Sequence, residues 1–527
     1  MDYDYIVVGA GAAGCVVAGR LAEDPRTRVL LIEYGGADVN PLLHVPKGFY
    51  YTLRGDRYLY RYPTTPVTPG QAPEAWLRGR VLGGSAAVNG MIWVRGAPAD
   101  WDDLAARGNP GWGWADIGPA YRGLESALGV SVTATDDPVT RAILGSATAF
   151  GWEHVADFNA HDCDRIGFTP STIRDGRRTT SYRAFVRPRG RSRRANLTVA
   201  TRTRAGYLLF AASGDRGGRV TGIRVRRAGT TTDITARREV IICAGTVETP
   251  LLLERSGIGR PEVLRAIGAD LRVESPQVGE RVIEQRGVAL QVRLPADAGV
   301  PRPVARVATA RGKAREALRY LRDRTGLLAT AGYDLACQFR SSPELPRPDI
   351  HGLFAPLAID TGHADLRLAR HPGILFLGYQ MRPLTSGAIH SGGGRPEDLP
   401  VIDARFLETA ADRAATGPVL GIARAVLGSG PVAELAGEEE FPGPSVATPE
   451  QVVQYALDAG SGIYHAVGSA AMGAGDDAVV DPALRVRGVA GLRVADASVL
   501  PAQVSGNTAA PAMVIGWRAA DLIRETG

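Results

Sequence analysis

Asp4-Tyr5-Ile6-Val7-Val8-Gly9-Ala10-Gly11-Ala12-Ala13-Gly14 runs an apolar stretch straight into three glycines spaced G-x-G-x-x-G. The pattern predicts a buried strand over 4–8, a turn over 9–14, a helix of small residues over 12–22 and a second strand over 28–33. This is a complete βαβ unit. Gly9 permits the tight turn, Gly11 lets backbone approach a pyrophosphate, and Gly14 lets helix and strand pack closely. The helix, opened by Ala12 and Ala13, turns its N-terminal N–H groups toward the anion. Glu33 ends the second strand 19 residues after Gly14, where a carboxylate accepts hydrogen bonds from ribose hydroxyls and repels a 2′-phosphate. No comparable fingerprint recurs, so one dinucleotide is expected rather than two. The loop by itself leaves NAD and FAD equally open.

The chain has 527 residues, enough for at least two hydrophobic cores. With 45% apolar and 22% charged residues it has the balance of a folded soluble protein. No apolar run approaches the roughly 18–20 residues a membrane span needs. The formal charge of +6 comes from arginine: Lys47 and Lys313 are the two lysines among 61 basic residues. The arginines are scattered among acids except at Arg187, Arg189, Arg191, Arg193 and Arg194, which reads as a solvated loop, so nucleic acid is not an expected partner. Cys15, Cys163, Cys243 and Cys337 form no C-x-x-C pair, and no metal site is expected. The apolar run at the N-terminus passes directly into the glycine turn instead of forming a signal peptide, so the expected location is the cytoplasm.

Two further glycine-rich segments stand out. Residues 78–91, Arg78-Gly79-Arg80-Val81-Leu82-Gly83-Gly84-Ser85-Ala86-Ala87-Val88-Asn89-Gly90-Met91, read as a turn opening a small-residue helix, a second place for amides to meet phosphate or a ring edge. Residues 238–244 read as a buried strand, and the segment 244–259 as a turn and then a helix that ends at glycine. Residues 196–210 and 220–226 look like a hairpin, with Ala205 on its first arm. From about 295 to 444 the pattern changes to mixed strands (374–381 and 387–390) and amphipathic helices (313–323 and 410–427), a stretch suited to a substrate domain.

Together these segments resemble the glucose–methanol–choline (GMC) oxidoreductases, whose two signature regions look like residues 79–96 and 244–259. The C-terminal part is similar too: Tyr464-His465-Ala466-Val467-Gly468-Ser469, then Asp496-Ala497-Ser498, then Asn507-Thr508-Ala509. The resemblance implies a mixed α/β fold with a Rossmann-like FAD-binding domain (1–155, 190–290, 460–527) and a discontinuous antiparallel-sheet substrate-binding domain (156–189, 291–459). It implies FAD held by Gly9, Gly11, Ala12, Ala13, Gly14, Glu33, Tyr34, Arg80, Val81, Gly84, Ser85, Asn89, Gly90, Met91, Ala205, Ala244, Gly245, Asp496, Ala497 and Thr508. Family members with covalent flavin carry a His in the second segment. Here it reads Ala86-Ala87-Val88-Asn89, so dissociable FAD is expected.

The implied activity is oxidation of a primary alcohol, aryl alcohols included. His465 takes the hydroxyl proton, Asn507 holds the oxygen, hydride passes to flavin N5, and oxygen or another redox acceptor reoxidises the cofactor. The alternative within the family is a lyase of cyanohydrins with no net redox. Several residues depart from the family pattern. Arg281, Glu284 and Gln285 stand where Asn, Asp and His are usual, which suggests a rebuilt stretch. Ser469, Ala470 and Ala471 also differ, close enough to His465 to affect its orientation, and Tyr34 replaces a small residue beside the adenosine.

Overall fold

Tyr3–Val8 is buried at all six positions, as a strand with neighbours on both edges and helices on both faces must be. In the computed structural model, which describes residues 3–188, 194–211, 218–295, 309–360 and 367–526, it pairs in parallel with Val29–Ile32 on one side and Thr230–Ile242 on the other. Leu197–Ala200 extends the sheet beyond Val29–Ile32, and Leu492–Val494 pairs with the end of Thr230–Ile242. Thr230–Ile242 has two roles. Its C-terminal end is buried in the parallel sheet, while its exposed N-terminal half forms an antiparallel meander with Val220–Arg227 and Thr203–Phe210. Residues 196–210 are therefore not one hairpin arm. Leu197–Ala200 belongs to the parallel sheet, and the chain turns at Arg202, whose φ is 54°, before the hairpin begins.

Helix Ala12–Leu21 lies against the sheet and is crossed by the C-terminal helix Ala509–Thr526. Small residues let the two backbones meet: a Cβ on Gly516 would stand 2.6 Å from the Ala13 carbonyl oxygen. Arg20 locks the crossing, with its guanidinium 4.0 Å from the Trp517 ring centroid, a 2.7 Å hydrogen bond to the Trp517 carbonyl, and a 2.9 Å ion pair with Asp521.

The second sheet has eight strands, in the order Glu439–Phe441, Arg286–Arg293, Gly373–Gln380, Ile350–Ala355, Leu335–Phe339, Arg165–Phe168 and Glu153–His154, with Ser461–Gly462 also paired to Arg286–Arg293. It is antiparallel apart from its last pair. Three boundaries differ from those read in the sequence. The boundary at 290/291 falls inside Arg286–Arg293, all of which pairs in this sheet. Helix Pro138–Phe150, grouped with the nucleotide domain, packs Val139, Ile143 and Ala147 into the second core. Tyr182, Phe185 and Val186, grouped with the substrate domain, lie in the first core beside Ala12–Leu21. The helix read over 410–427 is two, Ala410–Thr416 and Val419–Leu427, broken at Gly417-Pro418 because proline offers no N–H to continue the first.

Arg189, Arg191 and Arg193 lie outside the described residues. Arg194 is tied down by its bonds to the Gly19 and Phe185 carbonyls. Cys15, Cys243 and Cys337 are buried free thiols, and Cys163 is partly exposed. Among the described residues, no helix is long and apolar enough to cross a membrane. Gly516→Val would force a branched side chain into the helix crossing. The expected result is a loss of about 1–3 kcal/mol, read as a melting temperature several degrees lower. An unchanged melting temperature would mean that the crossing does not hold the fold.

Candidate functional site

The first glycine turn is tight on one side and open on the other. Gly9 has φ +103°, and a Cβ there or at Gly14 would collide with main-chain oxygens, of Cys243 and of Gly9 respectively. A Cβ on Gly11 would meet nothing within 4 Å. Gly11 is also the N-cap of helix Ala12–Leu21, with no capping side chain, so the first helix amides at Ala12 and Ala13 have no side-chain acceptor. Glu33 accepts from the Ala10 amide at 3.1 Å and the Gly35 amide at 2.7 Å, one per carboxylate oxygen, which leaves a lone pair on each. Burial pushes its pKa up to about 7.

The second segment packs directly on the first. The Gly83 amide donates to the Ala10 carbonyl at 2.8 Å, and a Cβ on Gly84 would lie 2.7 Å from Gly11 Cα. Val81 bridges to Gly36, and Ser85 Oγ accepts from the Gly79 amide. Arg80 and Arg204 flank the half-exposed Tyr34 ring, which stacks on Tyr60 at 5.9 Å. Ala205 follows in the strand whose Thr203 amide binds the Glu33 carbonyl. Asn89 Oδ1 accepts from the Met91 amide and from Arg178, whose guanidinium also holds the Ala86 and Asn89 carbonyls. Arg178 was not singled out in the sequence. It is buried among carbonyls that shape the 84–91 turn, and desolvation lowers its pKa to about 9. The Gly90 carbonyl takes the Gly332 amide, linking this turn to the substrate side.

At the third segment, Ala244 caps helix Gly245–Arg255, and the Cβ direction of Gly245 is again open. The Asp496 carboxylate is engaged within the protein: it accepts from the Gly245 amide, the Thr249 hydroxyl and the Ser498 amide, pinning this helix start to the short helix Ala497–Val499. The Thr508 carbonyl begins the hydrogen-bonding of helix Ala509–Thr526.

His465 follows the edge strand Ser461–Gly462, and Asn507 precedes the C-terminal helix. The two side chains meet, with Asn507 Nδ2 3.0 Å from His465 Nε2. The other ring nitrogen, Nδ1, lies 2.8 Å from Gln285 Oε1. Gln285 Nε2 donates to the Met381 carbonyl at 2.6 Å, and this fixes which end of the amide faces the imidazole. An amide oxygen can only accept, so Nδ1 carries the proton and Nε2 keeps its lone pair. Asn507 then donates to that lone pair, and its own Oδ1 is buried with no partner among the described residues.

Glu284 holds the backbone of the same segment. Its carboxylate accepts from the amides of His465, Ala466 and Gln285 at 2.8–2.9 Å. Tyr464, half-exposed, adopts φ 67°, a conformation rare for a bulky residue, and this turns the next two amides onto one carboxylate. Gln503 Nε2 adds bonds to the His465 and Ile283 carbonyls. Burial, followed by the nearby Arg78 guanidinium, lowers the His465 pKa to about 3. Burial raises Glu284 to about 7, against the pull of Arg78 at 3.8 Å. The site therefore holds a neutral imidazole with a fixed tautomer.

The GMC oxidoreductase family models match residues 3–284 and 383–516. The chain belongs to the GMC oxidoreductases. It is 35% identical over 542 residues to an uncharacterised GMC-type oxidoreductase of Mycobacterium tuberculosis, covering 99% of both chains. It is 30% identical over 547 residues to an oxygen-dependent choline dehydrogenase of Brucella ovis, covering 99% of this chain and 96% of the other. Formate oxidase of Aspergillus oryzae shares the fold with TM-score 0.89 at 24% identity, covering 100% and 98%. A fungal aryl-alcohol oxidase does so with TM-score 0.79 at 22% identity, covering 100% and 99%.

The departures from the GMC pattern take on meaning in this geometry. Glu284 and Gln285 contact His465 directly, and the stretch around them forms an ordered turn, with Val282 and Ile283 bridged to Gly387 and Val467. Ser469 donates to the Thr246 carbonyl, and Ala470 and Ala471 are buried, so the orientation of His465 is set from the 284–285 side. Glu284→Gln turns one acceptor oxygen into a donor that faces a backbone N–H. A loss of about 1–3 kcal/mol is expected. A carboxyl whose folded pKa is raised contributes stability that is present below its unfolded value of 4.5 and lost as pH rises through about 7. The melting deficit of Glu284→Gln should therefore be larger near pH ~5 than near pH ~8. An equal deficit at both would refute this protonation assignment.

Proposed function

We propose that this GMC oxidoreductase binds FAD non-covalently and oxidises the hydroxyl group of a small primary alcohol, aryl alcohols included, in the cytoplasm. The observation that carries the reading is the His465 imidazole, held between Gln285 and Asn507 with Nε2 unprotonated. The residues present suit the cofactor. Gly11 and Gly245 leave open space over their backbones, Glu33 retains lone pairs for ribose hydroxyls, and residues 79–96 contain no histidine to form a flavin bond. FAD supplies the acceptor for the hydride leaving the carbinol carbon.

The chain's own residues handle the proton and the oxygen. A hydroxyl placed at Nε2 donates its proton there, while Asn507 Nδ2 shifts its donation from the ring to the substrate oxygen and steadies the charge that develops on it. Gln285 Oε1 accepts a stronger bond from Nδ1–H as the ring becomes cationic, and Glu284 offsets the new charge. Tyr464, beside the base and half-exposed, offers a face to the substrate.

His465→Ala should slow anaerobic flavin reduction by about two or more orders of magnitude. If the flavin stays oxidised while an alcohol or cyanohydrin turns over, the lyase chemistry holds instead. Gln285→Leu leaves Nδ1–H without an acceptor and frees the other tautomer. Its kcat should fall by about tenfold to hundredfold with KM little changed. A proportional rise in KM alone would assign Gln285 to substrate binding. With the folded pKa of His465 near 3 and that of Glu284 about 7, the base stays unprotonated well below the ordinary 6.5, so in Glu284→Gln, where the neighbouring carboxyl is gone, kcat/KM should show no acidic limb between pH ~8 and ~5. A limb centred near the ordinary value would contradict the buried, neutral imidazole. Acid precipitation of the protein should leave yellow FAD in the supernatant, and flavin retained in the pellet would indicate a covalent link.

A further inference from the structure

Helix Ala310–Asp323 is amphipathic in sequence, and the ordinary expectation is that its apolar face lies on the core. The structure shows the reverse. Glu316 and Tyr320, one turn apart, are the buried residues. The Glu316 carboxylate accepts from the Leu327 amide, and the Tyr320 hydroxyl donates to the Gly176 carbonyl at 2.9 Å. Leu318 and Leu321 are 67% and 69% exposed, and Ala310 and Ala314 are exposed beside them. At about 100° per residue these four residues and Ala317 share one outward arc roughly 100° wide. Arg311, Arg315, Arg319 and Arg322 border it on one side, and Lys313 approaches from the other. Against these five cations the helix sets two acids, of which Glu316 faces inward and Asp323 is paired with Arg322.

We propose that this helix seats the protein on an anionic lipid surface, with Leu318 and Leu321 entering the headgroup boundary and the flanking arginines meeting lipid phosphates. An exposed apolar stripe edged by cations is the physical form of an interfacial helix that lies on a bilayer without crossing it. Charge selects lipid over a second copy of this chain. In a two-fold pairing of this face, parallel or antiparallel, cationic rows would confront cationic rows. Two inward polar anchors in place of apolar ones leave the helix attached while its greasy side is uncovered by any of the described residues.

Flotation of the flavin-loaded protein with vesicles tests this. The wild type should float with vesicles of about one-third phosphatidylglycerol and do so about tenfold less with phosphatidylcholine alone or in ~0.5 M salt. Leu318→Glu with Leu321→Glu, and separately Arg311→Glu with Arg315→Glu, should each lower flotation about tenfold while the flavin spectrum and turnover of soluble substrate remain unchanged. Wild type that stays at the bottom of the gradient with anionic vesicles overturns the proposal, as does a leucine variant that floats like wild type. A wild-type dimer that the leucine variant splits, read by light scattering, would show a second copy as the occupant and overturn it equally.

Discussion

The approach of Gly84 to Gly11 is the constraint on which the rest of the molecule depends. At 2.7 Å from a Cβ to the opposing Cα there is no room for any side chain at Gly84, and the Gly83 amide is committed to the Ala10 carbonyl. Two turns separated by some 70 residues therefore form one wall, with open space left above Gly11. The parallel sheet serves this wall. Tyr3–Val8 delivers the first turn, Thr230–Ile242 delivers Gly245 beside it, and Leu492–Val494 brings Asp496 to cap that third turn. Remote segments converge because parallel strands end on the same side of a sheet.

The base sits at the seam between the two sheets, and its surroundings come from both. Gln285 and Glu284 precede the strand Arg286–Arg293, His465 follows the strand paired to it, and Asn507 opens the helix that crosses Ala12–Leu21. A neutral imidazole in such a place lowers stability in acid, since folding denies it a proton that the unfolded chain would bind. The same burial that weakens the fold at low pH keeps Nε2 available at ordinary pH. Stability and readiness trade against each other through one desolvation effect.

Much of this was legible in the sequence, for stated physical reasons. The first βαβ unit was readable because period, glycine spacing and a terminal acid agree over one short stretch. The pairing of His465 with Asn507 was readable through motif resemblance, whereas spacing gives no hint that residues 42 apart touch. The anchoring role of Gln285 was hidden because only the Met381 carbonyl, contributed by a distant strand end, determines which way its amide points. Arg178 was hidden among many arginines, and its carbonyl partners carry no sequence signal. Domain boundaries slipped where a segment leaves one sheet and joins the other without a change in composition, as at Arg286 and Pro138. Helix Ala310–Asp323 shows the limit of periodicity: the pattern gives the helix and its two faces, but polar anchors at Glu316 and Tyr320 decide which face turns inward.

The exchange of the usual histidine for Gln285 also has a chemical logic. A histidine at that position can hold the catalytic ring through either nitrogen, in either tautomer, and can itself become charged. Glutamine offers one oxygen and one amide, fixed end to end by the Met381 carbonyl, and carries no proton that pH could remove. Beside a buried imidazole a second charge would be repelled through a low-dielectric medium, so a neutral, oriented acceptor is the arrangement that leaves the base least sensitive to its neighbours. Arg78 is then a nearby cation, and Glu284 answers it at 3.8 Å while holding the backbone of the base. The departures at 284 and 285 act as a pair: one residue sets where His465 stands, and the other sets which of its nitrogens can react.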